Sequence, residues 1–174
     1  MIDSVWAKFS FFDGYGLTKA AIAGEKTQRR VLVTYNRKKE QFKKPTYNVG
    51  DEIVLIQPYC DIPELQDKGL ENTTGWKNKR YARVELMPYK VRITNIRTER
   101  LHDVTDEDAL AEGVKTYKCE GLPDVYSFEG NKSLQMYNTP REAFIAMCDG
   151  LFDITTWRRN PDVYVYEFEV IPND

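Results

Sequence analysis

At 174 residues, 41% hydrophobic and 30% charged, the chain can build one domain with a proper core, and is short for two. A formal charge of −2 and a pI near 5.6 exclude a protein that coats nucleic acid by bulk charge alone, and no apolar run approaches the roughly 18 residues of a membrane-spanning helix. The average hides a split: residues 1–100 hold 19 of the 25 basic and 12 of the 27 acidic residues, leaving the remainder of the chain strongly acidic. That asymmetry suits one basic and one acidic face, the basic one able to meet phosphates.

In chain order, "WAKFSFF" alternates as a first strand. "GLTKAAIAG" places Leu17, Ala20, Ala21 and Ile22 on a helical stripe stopped by Gly24. "KTQRRVLVTY" predicts a second strand and "RKKEQFKKPTY" a charged loop. "VGDEIVLIQPY" predicts a turn and a buried strand, and residues 60–78, without a clear period, a loop. "RYARVEL" and "YKVRITNIRTERL" predict two strands parted by Met87 and Pro88. Val91 and Ile93 share a phase that Ile96 breaks, which predicts a bulge near Asn95. "TDEDALAEG" and "TPREAFIAMCDG" carry helix start signals in Thr105 and in Thr139, Pro140 and Glu142. "DVYVYEFEVI" predicts the last strand. The expected architecture is α+β: a small mixed β-barrel of about six strands with about three flanking helices, residues 1–174 forming one domain.

Cys60, Cys119 and Cys148 are odd in number, widely spaced and without a C-x-x-C, so neither a disulfide framework nor a metal site is expected. With no signal-like N-terminus in "MIDSVWAKFSFF", the expectation is a soluble cytoplasmic protein without cofactor or membrane association. His102 beside Asp103 points to opposite sides of a strand and makes no triad. Asp103, Asp106, Glu107, Asp108 and Glu112 lack calcium-loop spacing, and acids in a first helical turn answer the helix dipole. Nucleotide-binding glycine loops and a serine nucleophile motif are absent. Three cations, Lys26, Arg29 and Arg30, crowd the join between helix and strand, where they need either a solvated face or an anion. Trp76 amid Lys77, Lys79, Arg80 and Arg83 suits either a stacking base with its phosphates or a Trp pinning a long loop. Trp157, followed by Arg158 and Arg159, has the same two uses.

"AAIAGEKTQRR" resembles the short helix and Gly-x-Lys turn of ASCH domains, a PUA-like β-barrel family. "GWKNKRYARVELMP", "VRITNIRTERLHDVTDEDALAEGV", "TPREAFIAMCDG" and "NPDVYVYEFEVI" resemble ASCH-like proteins of bacteriophages and prophages. The resemblance covers nearly the whole chain in order. It implies a barrel with the Gly24 to Arg30 turn at the mouth of a cleft and, by analogy with PUA domains, a nucleic-acid ligand. Some members resemble acetylcytidine amidohydrolases, in which the motif lysine acts with a threonine three residues later and a distant glutamate. Here Lys26 is present, but Arg29 stands at the threonine position, and Gln28 and Arg29-Arg30 replace the usual glutamate and arginine.

The resulting expectation is a module for RNA or single-stranded nucleic acid, or for a nucleotide-like small molecule, gripped by Lys26, Gln28, Arg29, Arg30, Trp76, Lys77, Lys79, Arg80, Arg83 and Trp157. The alternative is a hydrolase acting on a modified nucleoside or nucleic acid through Lys26, Thr27 and a downstream carboxylate.

Overall fold

Alternating and β-branched runs become strands, and capped apolar stripes become helices, in a computed structural model that describes residues 8–118, 120–132 and 135–173. The strands are β1 (Lys8–Phe9), β2 (Gln28–Leu32), β3 (Tyr35–Asn36), β4 (Gln41–Phe42), β5 (Glu52–Leu55), β6 (Tyr89–Arg100), β7 (Lys115–Tyr117), β8 (Val125–Ser127) and β9 (Asp162–Pro172). The helices are α1 (Leu17–Ile22), α2 (Asp106–Ala111), α3 (Pro140–Leu151) and α4 (Ile154–Arg159). Residues 1–7, where the expected first strand begins, and Cys119 lie outside the described residues.

Five strands form the main sheet in the order β1-β5-β6-β9-β2, while β3-β4 and β7-β8 are separate ribbons. β1 runs parallel to β5; the other pairings are antiparallel. The spine is β6 against β9, from Tyr89 opposite Pro172 to Arg100 opposite Asp162, and its register slips between Ile93 and Asn95. The bulge expected near Asn95 is therefore present. β9 is buried through Val163 and Val165 on one face and Tyr166 and Phe168 on the other. Helix α3 brings Ala143, Phe144 and Met147 into the same core. Its start follows the sequence signals: the amide of Glu142 donates to the Thr139 hydroxyl at 3.1 Å, with Pro140 in the first turn. Thr105 caps α2 reciprocally with Asp108.

The α+β class stands, and the barrel is approximate. β1 and β2 are the two edges of an open sheet, and they approach closely enough for the Arg29 guanidinium to lie 4.9 Å from the centre of the Phe9 ring. Three local expectations need correction. "RYARVEL" is not a strand but two 3-10 turns, Lys79–Tyr81 and Val84–Leu86, because its amides are spent locally: Tyr81 donates to the Asn78 carbonyl and Ala82 to that of Lys79. The expected charged loop contains strand β4, which pairs as a hairpin with β3 just before that loop. A fourth helix, α4, escaped notice because two threonines weaken its helical propensity; Asp153 starts it by accepting from the amides of Thr155 and Thr156 at 2.8 and 2.9 Å. Among the described residues, no helix is long and apolar enough to cross a membrane.

A second, smaller core lies outside the sheet: Ile56, Tyr59, Ile62, Leu65, Ala82 and Met87, with Trp76 half-buried against it. The Trp76 carbonyl also accepts from the Cys60 amide at 3.0 Å, so the residue pins the long 60–88 connection from both backbone and side chain. Trp76→Ala is expected to remove about 3 kcal/mol of folding stability, the low end for a large aromatic because the ring is half-buried. A lower urea midpoint at unchanged slope would show it.

Candidate functional site

Helix α1 stops at Gly24 (φ +75°), and the chain turns so that the amide of Lys26 donates back to the Ala20 carbonyl. The amide of Thr27 donates to the carbonyl of Ala111 at 2.9 Å, which fastens this turn to the end of α2. There Glu112 is the C-cap of α2, and Gly113 (φ +104°) reverses the chain. A Cβ on Gly113 would meet Leu17 Cδ2 at 3.1 Å and Lys26 Cδ at 3.7 Å, so both its left-handed backbone and its closeness to Lys26 favour glycine. The two turns aim Lys26 and Glu112 at each other.

Lys26 Nζ donates to Glu112 Oε2 and to the Glu112 carbonyl, each at 2.7 Å. Arg30 Nη1 donates to Glu112 Oε1 at 3.0 Å, so one carboxylate serves two cations. Arg30 Nη2 donates to Glu99 Oε1 at 2.6 Å and lies 3.0 Å from Asp108 Oδ2. Arg97 closes the set, donating to Glu99 Oε2 at 2.9 Å, to Asp108 Oδ1 at 2.7 Å and to Glu167. Gln28 Oε1 accepts from Arg30 Nη1 at 3.4 Å. Lys26, Arg30 and Glu112 are 2%, 5% and 3% exposed. Three cations thus meet four carboxylates, and the positive charge of Lys26 and Arg30 is answered inside the protein.

Arg29 differs. On β2 it points to the opposite face from Arg30, lies over Phe9, and among the described residues has no ion-pair partner. Burial lowers its affinity for the proton, with Tyr47 and Glu112 pulling the other way. Burial likewise pushes the Lys26 ammonium down against the attraction of Glu112. Arg30 is held up despite burial, by Glu112 first and then Glu99 and Asp108.

These residues line a cavity of about 360 Å³ in the gap between the two sheet edges. Ser10, Phe11 and Phe12, following β1, form one wall and Arg29 to Leu32 of β2 the other. Phe144, Leu151 and Phe152 of the α3 region close the back, with Lys26 and Glu112 at the polar end. Lys26 Nζ lies 5.3 Å from the Phe11 ring centre and the Arg30 guanidinium 5.6 Å from that of Phe144. The site is apolar and aromatic with a few convergent charges, as ligand pockets commonly are.

Lys26, Arg29 and Arg30 therefore come together. Gln28 supports Arg30 without lining the cavity, and Thr27 is exposed and outside it. Trp76, Lys77, Lys79, Arg80 and Arg83 do not line it; Lys79 Nζ donates to the carbonyl of Phe11 and Lys8 Nζ to that of Ala82, so this loop buttresses the Phe11 wall from behind. Trp157 also lies elsewhere, with His102 stacked 4.3 Å from its centre and Arg141 at 5.6 Å. Sequence reasoning missed the role of Glu112, which stands among helix-capping acids in "DVTDEDALAEG". Its distinguishing signal is the glycine that follows it.

Lys26→Met should cost roughly 3 kcal/mol of stability, because it leaves half of Glu112's pairing unmet in a dry site; chemical denaturation measures this. Asp108 supplies a pH signature. Burial pushes its carboxyl up, but Arg30, the Thr105 amide, Gln28 and Arg97 together hold it below its ordinary 3.8. The stability it contributes is complete above that value and is lost as pH falls through the lower folded value. Melting temperature should fall as pH drops below about 4, and less steeply in Asp108→Asn.

No protein-family model and no curated protein matches the chain. The solved structures similar to it include the following two. One is a protein of Enterococcus faecalis assigned to the family DUF984, 14% identical, with a TM-score of 0.48 over 96% of this chain and 77% of that one. The other is an ASCH domain of Lactobacillus crispatus, also 14% identical, with a TM-score of 0.45 over 96% of this chain and 81% of that one.

Proposed function

We propose that the chain is a binding module for RNA or single-stranded nucleic acid that takes one nucleotide into the cavity at the Gly24 to Arg30 turn. The observation that carries this reading is Arg29: a half-buried guanidinium in an aromatic-walled cavity, without a carboxylate of its own among the described residues, beside Lys26 and Arg30, whose charge is already met. A phosphate offers such a fork two oxygens, and Phe11, Phe12 and Phe152 offer surfaces for a base. The resemblance of "AAIAGEKTQRR" to the ASCH turn supports the same reading. The ligand-gripping role narrows from three cations to one, with Lys26 and Arg30 shaping the wall on which it sits.

A second reading, hydrolysis of a modified nucleoside, is favoured by the Lys26 and Glu112 pair, which supplies the lysine and the distant carboxylate that the family resemblance implies. Against it, Thr27 is exposed and outside the cavity, so the implied hydroxyl is not beside them.

Arg29→Met keeps most of the stem over Phe9 and removes the charge. It should weaken binding of a uridine dodecamer and lower the slope of log affinity against log salt by about 0.7, with little change in melting temperature. Fluorescence anisotropy over a salt series reads both. An unchanged affinity would overturn the cavity as the nucleotide site, and release of acetate from acetylcytidine, lost in Glu112→Gln, would favour the hydrolase.

A further inference from the structure

The β3-β4 ribbon leaves the sheet just past Leu32 and takes no part in the core. Tyr35 stands directly opposite Phe42, their ring centres 5.3 Å apart at 71°, and the residues are 51% and 64% exposed. Around them, Arg37, Lys38, Lys39, Lys43 and Lys44 are all exposed, against a single acid, Glu40. Among the described residues none of these five cations has an ion-pair partner, whereas Arg92, Arg97 and Arg100 on the neighbouring sheet all do. The ribbon is held firmly at its base: the Lys43 amide donates to the Thr34 carbonyl and the Tyr164 hydroxyl to the Lys43 carbonyl, each at 2.8 Å. Thr34 itself lines the cavity, so the ribbon rises from the cavity's rim.

We infer that this ribbon is a second nucleic-acid contact, a platform on which bases of a single strand stack as the strand leaves the cavity, with the five cations along its phosphates. The inference rests on the proposed nucleotide site and extends it. An exposed aromatic pair amid unanswered cations matches both halves of a single-stranded nucleic acid, the π-faces of its bases and the charge of its backbone. The arrangement disfavours an anionic lipid surface, because a membrane-inserting hairpin carries its aromatics at the tip. Here the tip is Arg37, Lys38, Lys39 and Glu40, and the rings sit at the base beside the cavity.

The test compares a uridine dinucleotide, long enough for the cavity alone, with uridine and thymidine dodecamers, using the full chain and the variants Tyr35→Ala/Phe42→Ala, Lys38→Ala/Lys39→Ala and Arg29→Met. The aromatic double variant should lose about tenfold or more in dodecamer affinity while its dinucleotide affinity and melting temperature stay unchanged. The lysine double variant should lower the salt slope by roughly 1.4, two phosphate contacts on a single strand. Dodecamer binding that weakens in Arg29→Met but not in either ribbon variant overturns the platform and leaves the cavity reading intact. Absence of binding by the unmodified chain to every oligonucleotide overturns both. Binding to phosphatidylserine vesicles that the ribbon variants abolish, with oligonucleotide affinity unaffected, replaces the nucleic-acid platform by a membrane contact.

Discussion

The carboxylate of Glu112 is the point on which the candidate site depends. Lysine and arginine side chains leave water at a high cost in free energy unless their charge is met at close range. Glu112 meets two of them at once, with one oxygen on Lys26 and the other on Arg30. Because Lys26 belongs to the turn after α1, Arg30 to the adjoining β2 and Glu112 to the end of α2, the same contact ties two neighbouring elements to a third that lies more than eighty residues along the chain. The position of the β2 edge follows, and with it the width of the gap to Phe11 and Phe12. Arg29, on the other face of β2, is then left projecting beside a cavity whose neighbouring charges are already matched.

That division of labour among three consecutive-looking cations governs how the basic half of the chain should be read. Clustering along the sequence measures neither exposure nor pairing. Lys26 and Arg30 are buried and paired, Lys79 is turned to a backbone carbonyl, and the cations of the β3-β4 ribbon stand exposed, without an ion-pair partner among the described residues. Trp76 illustrates the same point among aromatics: cations surround it in sequence, yet its ring packs on Tyr59, Ile62 and their neighbours.

What was legible in the sequence was local. Thr105, Thr139 and Pro140 mark helix starts through bonds spanning three residues, and the phase break at Ile96 announces the bulge within one strand. Lys26, Arg29 and Arg30 were identifiable as a cluster on the same grounds. Their partners were not, since Glu112 and Glu99 lie 82 and 69 residues from Arg30, and nothing in a run of acids says which one turns inward. The aromatic walls were hidden for a related reason: Phe11 and Phe144 come from opposite ends of the chain and meet when the sheet edges and α3 are in place. "RYARVEL" failed in the other direction, having strand composition but no neighbouring strand to receive its amides.

The slipped register in β6 acts as a parity switch. Before it, odd-numbered residues Val91 and Ile93 share a face with Val170 and Phe168; after it, odd-numbered Arg97 and Glu99 share the opposite face with Val165 and Val163. That second face is the one to which Arg30, opposite Val165 on β2, also belongs. A strand of unbroken alternation would direct Arg97 and Glu99 to the face of Phe168 and Tyr166 and take Glu99 away from Arg30. The single extra residue at Thr94 therefore lets one continuous strand serve an oily surface along half its length and an ionic one along the other. A one-residue deletion there would turn Arg97 and Glu99 away from the face of Arg30.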